Sequence, residues 1–178
     1  EIRPGAKEVS ASLKDLYGLY KALRKARTKR GAIDFESTEV QFRFDERGAV
    51  ADIIPYERND AHMIIEECMI TANVQAANFL LRQQLPAPFR AHEPPQPDRL
   101  ESLEQFLRGL GIRVPWKSRP EPRDFENIVQ QIKGREDQPL IMAVLLRAQS
   151  LASYQAVNTG HFGLALKAYA HFTSPIRR

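Results

Sequence analysis

Apolar positions along this chain repeat mostly at helical spacing and alternate with polar ones in only a few short stretches. The first run, from about Val9 to Arg30, places Val9, Leu13, Leu16, Tyr20 and Leu23 on one side and stops at Gly31. Val40, Phe42 and Phe44 then alternate with polar residues, Asp45-Glu46-Arg47-Gly48 makes a turn, and Val50 to Ile54 returns, which predicts a β-hairpin. Ala32-Ile33-Asp34-Phe35 reads as a short extra strand leading in. Asn59-Asp60 offers a cap for the most regular helix, which runs to about Arg82. Its apolar positions include Met63, Ile64, Cys68, Met69, Ala72, Ala76, Phe79 and Leu80.

The stretch from Leu85 to Pro97 is rich in proline around Phe89-Arg90-Ala91-His92 and predicts a loop of limited flexibility. Asp98 with Glu101 resembles a capping box, opening a helix through Leu100, Leu103, Phe106, Leu107 and Leu110 that ends at Gly111. Beyond Trp116 and Pro120-Glu121-Pro122, a short helix turns Phe125, Ile128, Val129 and Ile132 inward and ends at Gly134. Pro139 starts another, from Leu140 to about Tyr154, with Ile141, Val144, Leu145 and Leu151 on its apolar side. Phe162, Leu164 and Leu166 alternate beside Gly160 and Gly163, which predicts a strand reaching Tyr169. A β-hairpin and about five helices make a mixed, helix-rich α+β domain.

Composition narrows this picture modestly. A chain of 178 residues with 43% hydrophobic and 27% charged residues fits one soluble globular unit with a sizeable core, and no second domain is expected. The net charge of +4 and pI near 9.3 permit a nucleic-acid partner without requiring one. A single cysteine, Cys68, excludes an internal disulfide framework and fits a reducing cytoplasm. No apolar run is long enough for a membrane span. The chain opens Glu-Ile-Arg-Pro without a secretory signal, which reads as an excised segment.

Several groups carry candidate chemistry. Arg24, Lys25, Arg27, Lys29 and Arg30 either complement the helix C-terminus as a solvated face or form a patch for backbone phosphates. Glu66, Glu67 and Asn73 interrupt an apolar helix, and Glu66 and Asn73 share one face two turns apart. Acids in so apolar a helix either reach solvent at its margin or have partners, and composition alone favours the solvated edge. His62, His92, His161 and His171 lack the spacing of a zinc site, and Asp52, Asp60, Asp98, Asp124 and Asp137 are too scattered to hold magnesium. There is no Gly-rich phosphate loop, hence no nucleotide cofactor, and no Ser or Cys nucleophile motif. Ser174-Pro175 is a helix-start signal that puts Arg177 in an opening turn, where backbone N–H groups and a guanidinium together suit a phosphate.

At these residues the chain resembles a known family. Gly160-His161-Phe162-Gly163-Leu164-Ala165-Leu166, followed by Tyr169-Ala170-His171-Phe172-Thr173-Ser174-Pro175-Ile176-Arg177-Arg178, is similar to the signature of the ribonuclease II/R (RNB) family. The similarity extends through Arg58-Asn59-Asp60-Ala61-His62, Ile65-Glu66-Glu67-Cys68-Met69-Ile70, Ala72-Asn73, Phe89-Arg90-Ala91-His92-Glu93, Pro120-Glu121-Pro122-Arg123-Asp124 and Arg30-Gly31-Ala32-Ile33-Asp34-Phe35-Glu36-Ser37. It covers essentially the whole chain, and the ending resembles the ribonuclease R branch more than ribonuclease II.

The resemblance implies that residues 1–178 are the middle-to-late part of the catalytic domain of a processive, magnesium-dependent 3′→5′ exoribonuclease. Such an enzyme hydrolyses single-stranded RNA, and in the ribonuclease R branch structured RNA, to nucleoside 5′-monophosphates by a two-metal mechanism. It implies that Arg177 is catalytic at the scissile phosphate and that Phe35 stacks on the 3′-terminal bases. It also implies that Glu66 or Glu67 reads a ribose 2′-OH, with Glu66 favoured because it shares a face with Asn73. Asn73, His171, Ser174 and Arg178 complete the expected RNA-binding set. The family's aspartate cluster, which holds the metals, is absent from this segment, as are its cold-shock and S1 modules. Two further readings stand beside this one: a catalytically inactive RNA-contacting piece, and a DNA-directed nuclease.

Overall fold

The computed structural model describes residues 6–34, 39–56, 59–116 and 118–173. In chain order it contains α1 (Ala6–Arg30), β1 (Glu39–Phe44), β2 (Val50–Tyr56), α2 (Asp60–Arg82), β3 (Phe89–Ala91), α3 (Pro97–Gly109), α4 (Pro122–Ile132), α5 (Gln138–Ala148) and β4 (Ser153–Gln155). The strands form two antiparallel pairs, β1 with β2 and β3 with β4. The fold is therefore mixed α+β and helix-rich, as the periodicity predicts.

The main core lies among α3, α4 and α5. Leu103, Leu107, Phe125, Ile128, Ile132, Ile141 and Leu145 are almost fully buried there, joined by Ile33, Ile112, Trp116 and Phe162 from connecting segments. Each such side chain contributes about 1.5–3 kcal/mol by leaving water. Trp116 stacks on Phe125 with ring centroids 5.3 Å apart, and Phe162 meets Phe125 edge-on at 5.8 Å. The indole N–H of Trp116 donates to Glu104 at 2.7 Å, so the ring's polar tip is satisfied. A smaller cluster of Ala77, Ala87, Phe89, Ala168 and Ala170 seals α2 against β3.

Local signals explain most element boundaries. At α4 the Asp124 carboxylate accepts from the Glu121 N–H at 2.8 Å, closing the helix start behind Pro122. The capping box expected from Asp98 and Glu101 does not set the start of α3. Pro97 takes a first-turn position, where its fixed φ and missing N–H cost nothing, so the helix starts earlier and Gln96 is its cap residue.

Three expectations are corrected. Ala32 to Asp34 form no strand; Ile33 points into the core and its N–H donates to the Gly163 carbonyl at 2.9 Å. The last long helix ends at Ala148 rather than near Tyr154, because Ser153-Tyr154-Gln155 pairs with Phe89-Arg90-Ala91. That leaves Leu151 91% exposed and places a strand inside the proline-rich loop. Nor is the segment from Phe162 to Tyr169 a strand. His161 and Leu166 exchange two backbone hydrogen bonds of 2.8 and 3.1 Å around a tight turn, within which Ala165 adopts φ +51°. Only beyond it does the chain lie along β3, where the Arg90 N–H donates to Tyr169 at 2.8 Å.

The predicted hairpin forms, with Phe42 opposite Ile53. Its apolar residues are not packed among the described residues: Phe42, Phe44, Val50 and Ile53 are all at least half exposed. On α1, Leu13, Leu16 and Leu19 are exposed too, whereas Tyr20 and Arg27 are buried.

Candidate functional site

Helix α2 joins the two ends of the site. Asn59 caps it, its side-chain oxygen accepting from the His62 N–H at 3.1 Å. The face it buries is Glu67, Ile70, Asn73 and Ala77, so two of its four deepest positions are polar. The reading of the two acids as a solvated edge is thereby corrected for Glu67, which is 3% exposed, and Asn73 beside it is 0% exposed.

Each buried polar group has partners supplied from elsewhere in the chain, as burial demands. Arg27, reaching across from the last turns of α1, lies 2.8 Å from Glu67 and 3.3 Å from Glu66. Arg24 pairs with Asp34 and stands 3.8 Å from Glu67. Glu66 sits at the margin of this cluster with 22% of its side chain exposed, against 5% for Glu67. The basic end of α1 is accordingly not a uniform solvated face. Arg27 is buried, Arg24 is paired, and the Arg30 side chain donates to the Leu164 carbonyl at 3.0 Å. Lys25 and Lys29 stay exposed.

At the other end of α2's buried face, Asn73 takes hold of the chain that leads towards Ser174. Its Oδ1 accepts from the backbone N–H groups of Phe172 at 2.9 Å and Thr173 at 2.6 Å. Its Nδ2 donates to the Thr173 carbonyl at 2.7 Å and to the Tyr169 hydroxyl at 3.1 Å.

Histidines hold the rest of the signature. The Gly163 N–H donates to Nδ1 of His92 at 2.9 Å, which leaves Nε2 carrying the proton donated to the Ser150 carbonyl at 2.8 Å. His92 is thus neutral, and burial lowers its pKa, with Arg90 nearby adding to the effect. A side chain at Gly163 would bring a Cβ to 3.0 Å from His92 Nδ1, so anything larger than glycine would push the imidazole aside by a few tenths of an ångström. His161 packs 5.0 Å from His92 between ring centroids, and burial first, then the neighbouring His92 and Arg90, pushes its pKa down to about 3. Tyr169 bridges His161 and His171 edge-on at 5.3 and 5.5 Å, and its burial raises the phenol pKa. His171, exposed, shares a 2.7 Å hydrogen bond with the Tyr154 hydroxyl, and Arg90 lies 4.9 Å over the Tyr154 ring.

Of the expected site residues, Glu66, Glu67, Asn73 and His171 fall within this connected region. Phe35, Ser174, Arg177 and Arg178 lie outside the described residues. Sequence reasoning missed Arg27, His92 and Tyr169 as organising residues. Arg27 looked like one cation among five, and nothing local distinguished a histidine that bridges two backbone groups.

Comparison with known proteins supplies what geometry does not. The RNB domain matches residues 2–178. The chain belongs to the RNB family. Among relatives, a Ribonuclease R of Vibrio parahaemolyticus is 47% identical over 178 residues, which is 100% of this chain and 21% of that protein. This RNB chain thus spans about a fifth of the length of that relative. Two structures of Mycoplasma genitalium RNase R share its fold at 29% identity over 97% of the chain. One, in complex with ribose methylated single-stranded RNA, has a TM-score of 0.88 and is 27% covered. The other, in complex with double-stranded RNA, has a TM-score of 0.89 and is 31% covered.

Among the described residues of this RNB chain, no group of three or more His, Cys, Asp or Glu is placed to hold a metal ion. The carboxylates of Glu66, Glu67 and Asp34 face arginines instead, which suits ion pairing rather than ligation. No described helix is long and apolar enough to cross a membrane.

Proposed function

We propose that this chain is the middle-to-late part of the catalytic domain of a processive, hydrolytic 3′→5′ exoribonuclease that releases nucleoside 5′-monophosphates. The observation that carries the reading is the RNB match over residues 2–178 together with RNA-bound RNase R structures of the same fold. Magnesium supplies the activated water in such an enzyme. No group among the described residues fits it, and the reading takes its ligands from the family's aspartate cluster. Cytoplasmic residence and the absence of a nucleotide cofactor belong to the same proposal.

Within it, Arg177 contacts the scissile phosphate, Phe35 stacks on a 3′-terminal base, and His171, Ser174 and Arg178 contact RNA. The ribose 2′-OH contact goes to Glu66, since its side chain is 22% exposed while that of Glu67 is 5% exposed and faces Arg27. Asn73 is withdrawn from the RNA contacts, because both ends of its amide are engaged by the protein's own backbone and Tyr169.

The test compares the intact protein with the isolated chain on a 5′-labelled single-stranded oligoribonucleotide and its DNA counterpart, with magnesium. The intact protein is expected to release 5′-monophosphates from RNA, and Glu66→Ala to lose preference for RNA over DNA. The isolated chain, read as a catalytically inactive RNA-contacting piece, is expected to cleave no faster than buffer. Cleavage of DNA as fast as RNA by the intact protein would overturn the reading in favour of a DNA-directed nuclease.

A further inference from the structure

We propose that Asn73 is a positioning residue, whose amide fixes the backbone at Phe172 and Thr173 and so sets the register in which Ser174-Pro175-Ile176-Arg177 is delivered. The proposal rests on the exoribonuclease reading for the role of Arg177.

An asparagine amide offers two donors and an oxygen with two lone pairs. Here all four capacities are used: two backbone N–H groups on Oδ1, and one carbonyl and one hydroxyl on Nδ2. Nothing remains for a ligand, and the residue is 0% exposed. The pattern grips both the N–H and the C=O of Thr173, a residue that only a side chain with donor and acceptor on one short fork can hold at both ends. Aspartate would keep the two N–H bonds but set a carboxylate oxygen against the Thr173 carbonyl. Glutamine would reach one carbon too far.

The clamp is braced from below. Asn73 shares the buried face of α2 with Glu67, which Arg27 secures to α1 at 2.8 Å. Rotation of α2 about its axis is therefore resisted at one end while Asn73 holds the signature at the other. A second hold comes through Tyr169, whose hydroxyl accepts from Asn73 and whose ring is wedged between His161 and His171. Thr173 is four residues before Arg177, the residue that the exoribonuclease reading assigns to the scissile phosphate. Misplacing a catalytic group by about 1 Å costs on the order of 100-fold in rate.

The test uses single-turnover cleavage of a single-stranded oligoribonucleotide by the intact protein, with RNA affinity measured separately. Asn73→Ala is expected to slow cleavage about 100-fold with a much smaller loss of RNA affinity, since Ser174 and Arg178 belong to the same segment, and Asn73→Asp to lose nearly as much. The decisive variant is the double substitution. If Asn73 acts through Arg177, Asn73→Ala with Arg177→Ala is no slower than Arg177→Ala alone. Additive losses, or weakened RNA binding with unchanged cleavage, would overturn the proposal.

Amide hydrogen exchange in the absence of RNA guards against misfolding. In Asn73→Ala the amides of Phe172 and Thr173 are expected to lose protection while those of Leu103 and Ile128 keep it. Unchanged protection at Thr173, or loss throughout the core, would sink the clamp. Wild-type protein without exonuclease activity would overturn the exoribonuclease reading instead, and the exchange result would still decide whether Asn73 holds the segment.

Discussion

Phe125 and Asn73 are both 0% exposed, yet their surroundings are opposite in kind. Phe125 lies between the rings of Trp116 and Phe162, in a core built from three consecutive helices. Asn73 lies among backbone groups and a phenol, on a helix tied to α1 through a buried ion pair. The first region is held by area removed from water, a force without direction. The second is held by hydrogen bonds and charge, which have geometry, and there the signature is presented. Directional bonds fix where a chain runs more closely than apolar contact does. The same bonds are unforgiving when one partner is lost.

Removing apolar volume tests the first half of this contrast. Phe125→Ala should destabilise the chain by ~4 kcal/mol in urea denaturation, since it opens a cavity between two aromatic rings. A loss under ~1 kcal/mol would mean that the α3–α5 core readily collapses around the gap.

The ion pair tests the second half. Arg27→Ala should cost ~3 kcal/mol by removing the 2.8 Å partner of buried Glu67 and leaving only Arg24, 3.8 Å away, whereas Arg27→Met combined with Glu67→Leu should recover most of that loss. Were the double variant as unstable as the single one, packing by the arginine stem rather than charge would hold α1 to α2.

A pH titration separates the regions without cavities. The pKa of His161 is about 3 in the fold, against about 6.5 in an unfolded chain. Between these values the unfolded chain binds more protons, so stability rises with pH across the window. The contribution is fully present above about pH 6.5 and is lost as pH falls towards 3. His161→Asn, whose side-chain oxygen can still accept from Leu164, should flatten this slope in denaturation measured from pH 7 to pH 4. An unaltered slope would assign the acid sensitivity elsewhere.

The smallest effect is expected at the hairpin. Phe42, half exposed, should tolerate replacement by serine within about 0.5 kcal/mol in the isolated chain. A larger loss would show that the apolar hairpin face is covered in solution.

Much of this molecule was legible in its sequence. Capping residues and helical periodicity located α2 between Asn59 and Arg82, and Gly111 and Gly134 marked the ends of α3 and α4, because these signals act within a turn or two of the backbone. The signature residues and their family resemblance likewise needed no coordinates. What periodicity misjudged were elements whose conformation depends on a distant partner. Ser153 to Gln155 leave the helix pattern because β3 offers them a ladder, and Ile33 follows no strand because Gly163 and the core claim it.

The site divides in the same way. Sequence alone determined which groups are present: paired acids and an amide on one helix, and an arginine behind Ser174-Pro175. Only the tertiary structure decided that Glu67 faces Arg27, that His92 is held neutral between Gly163 and Ser150, and that Asn73 holds Thr173. A buried polar group is stable only beside a partner that balances it. Those partners lie 40, 71 and 100 residues away along the chain, where no local pattern reaches.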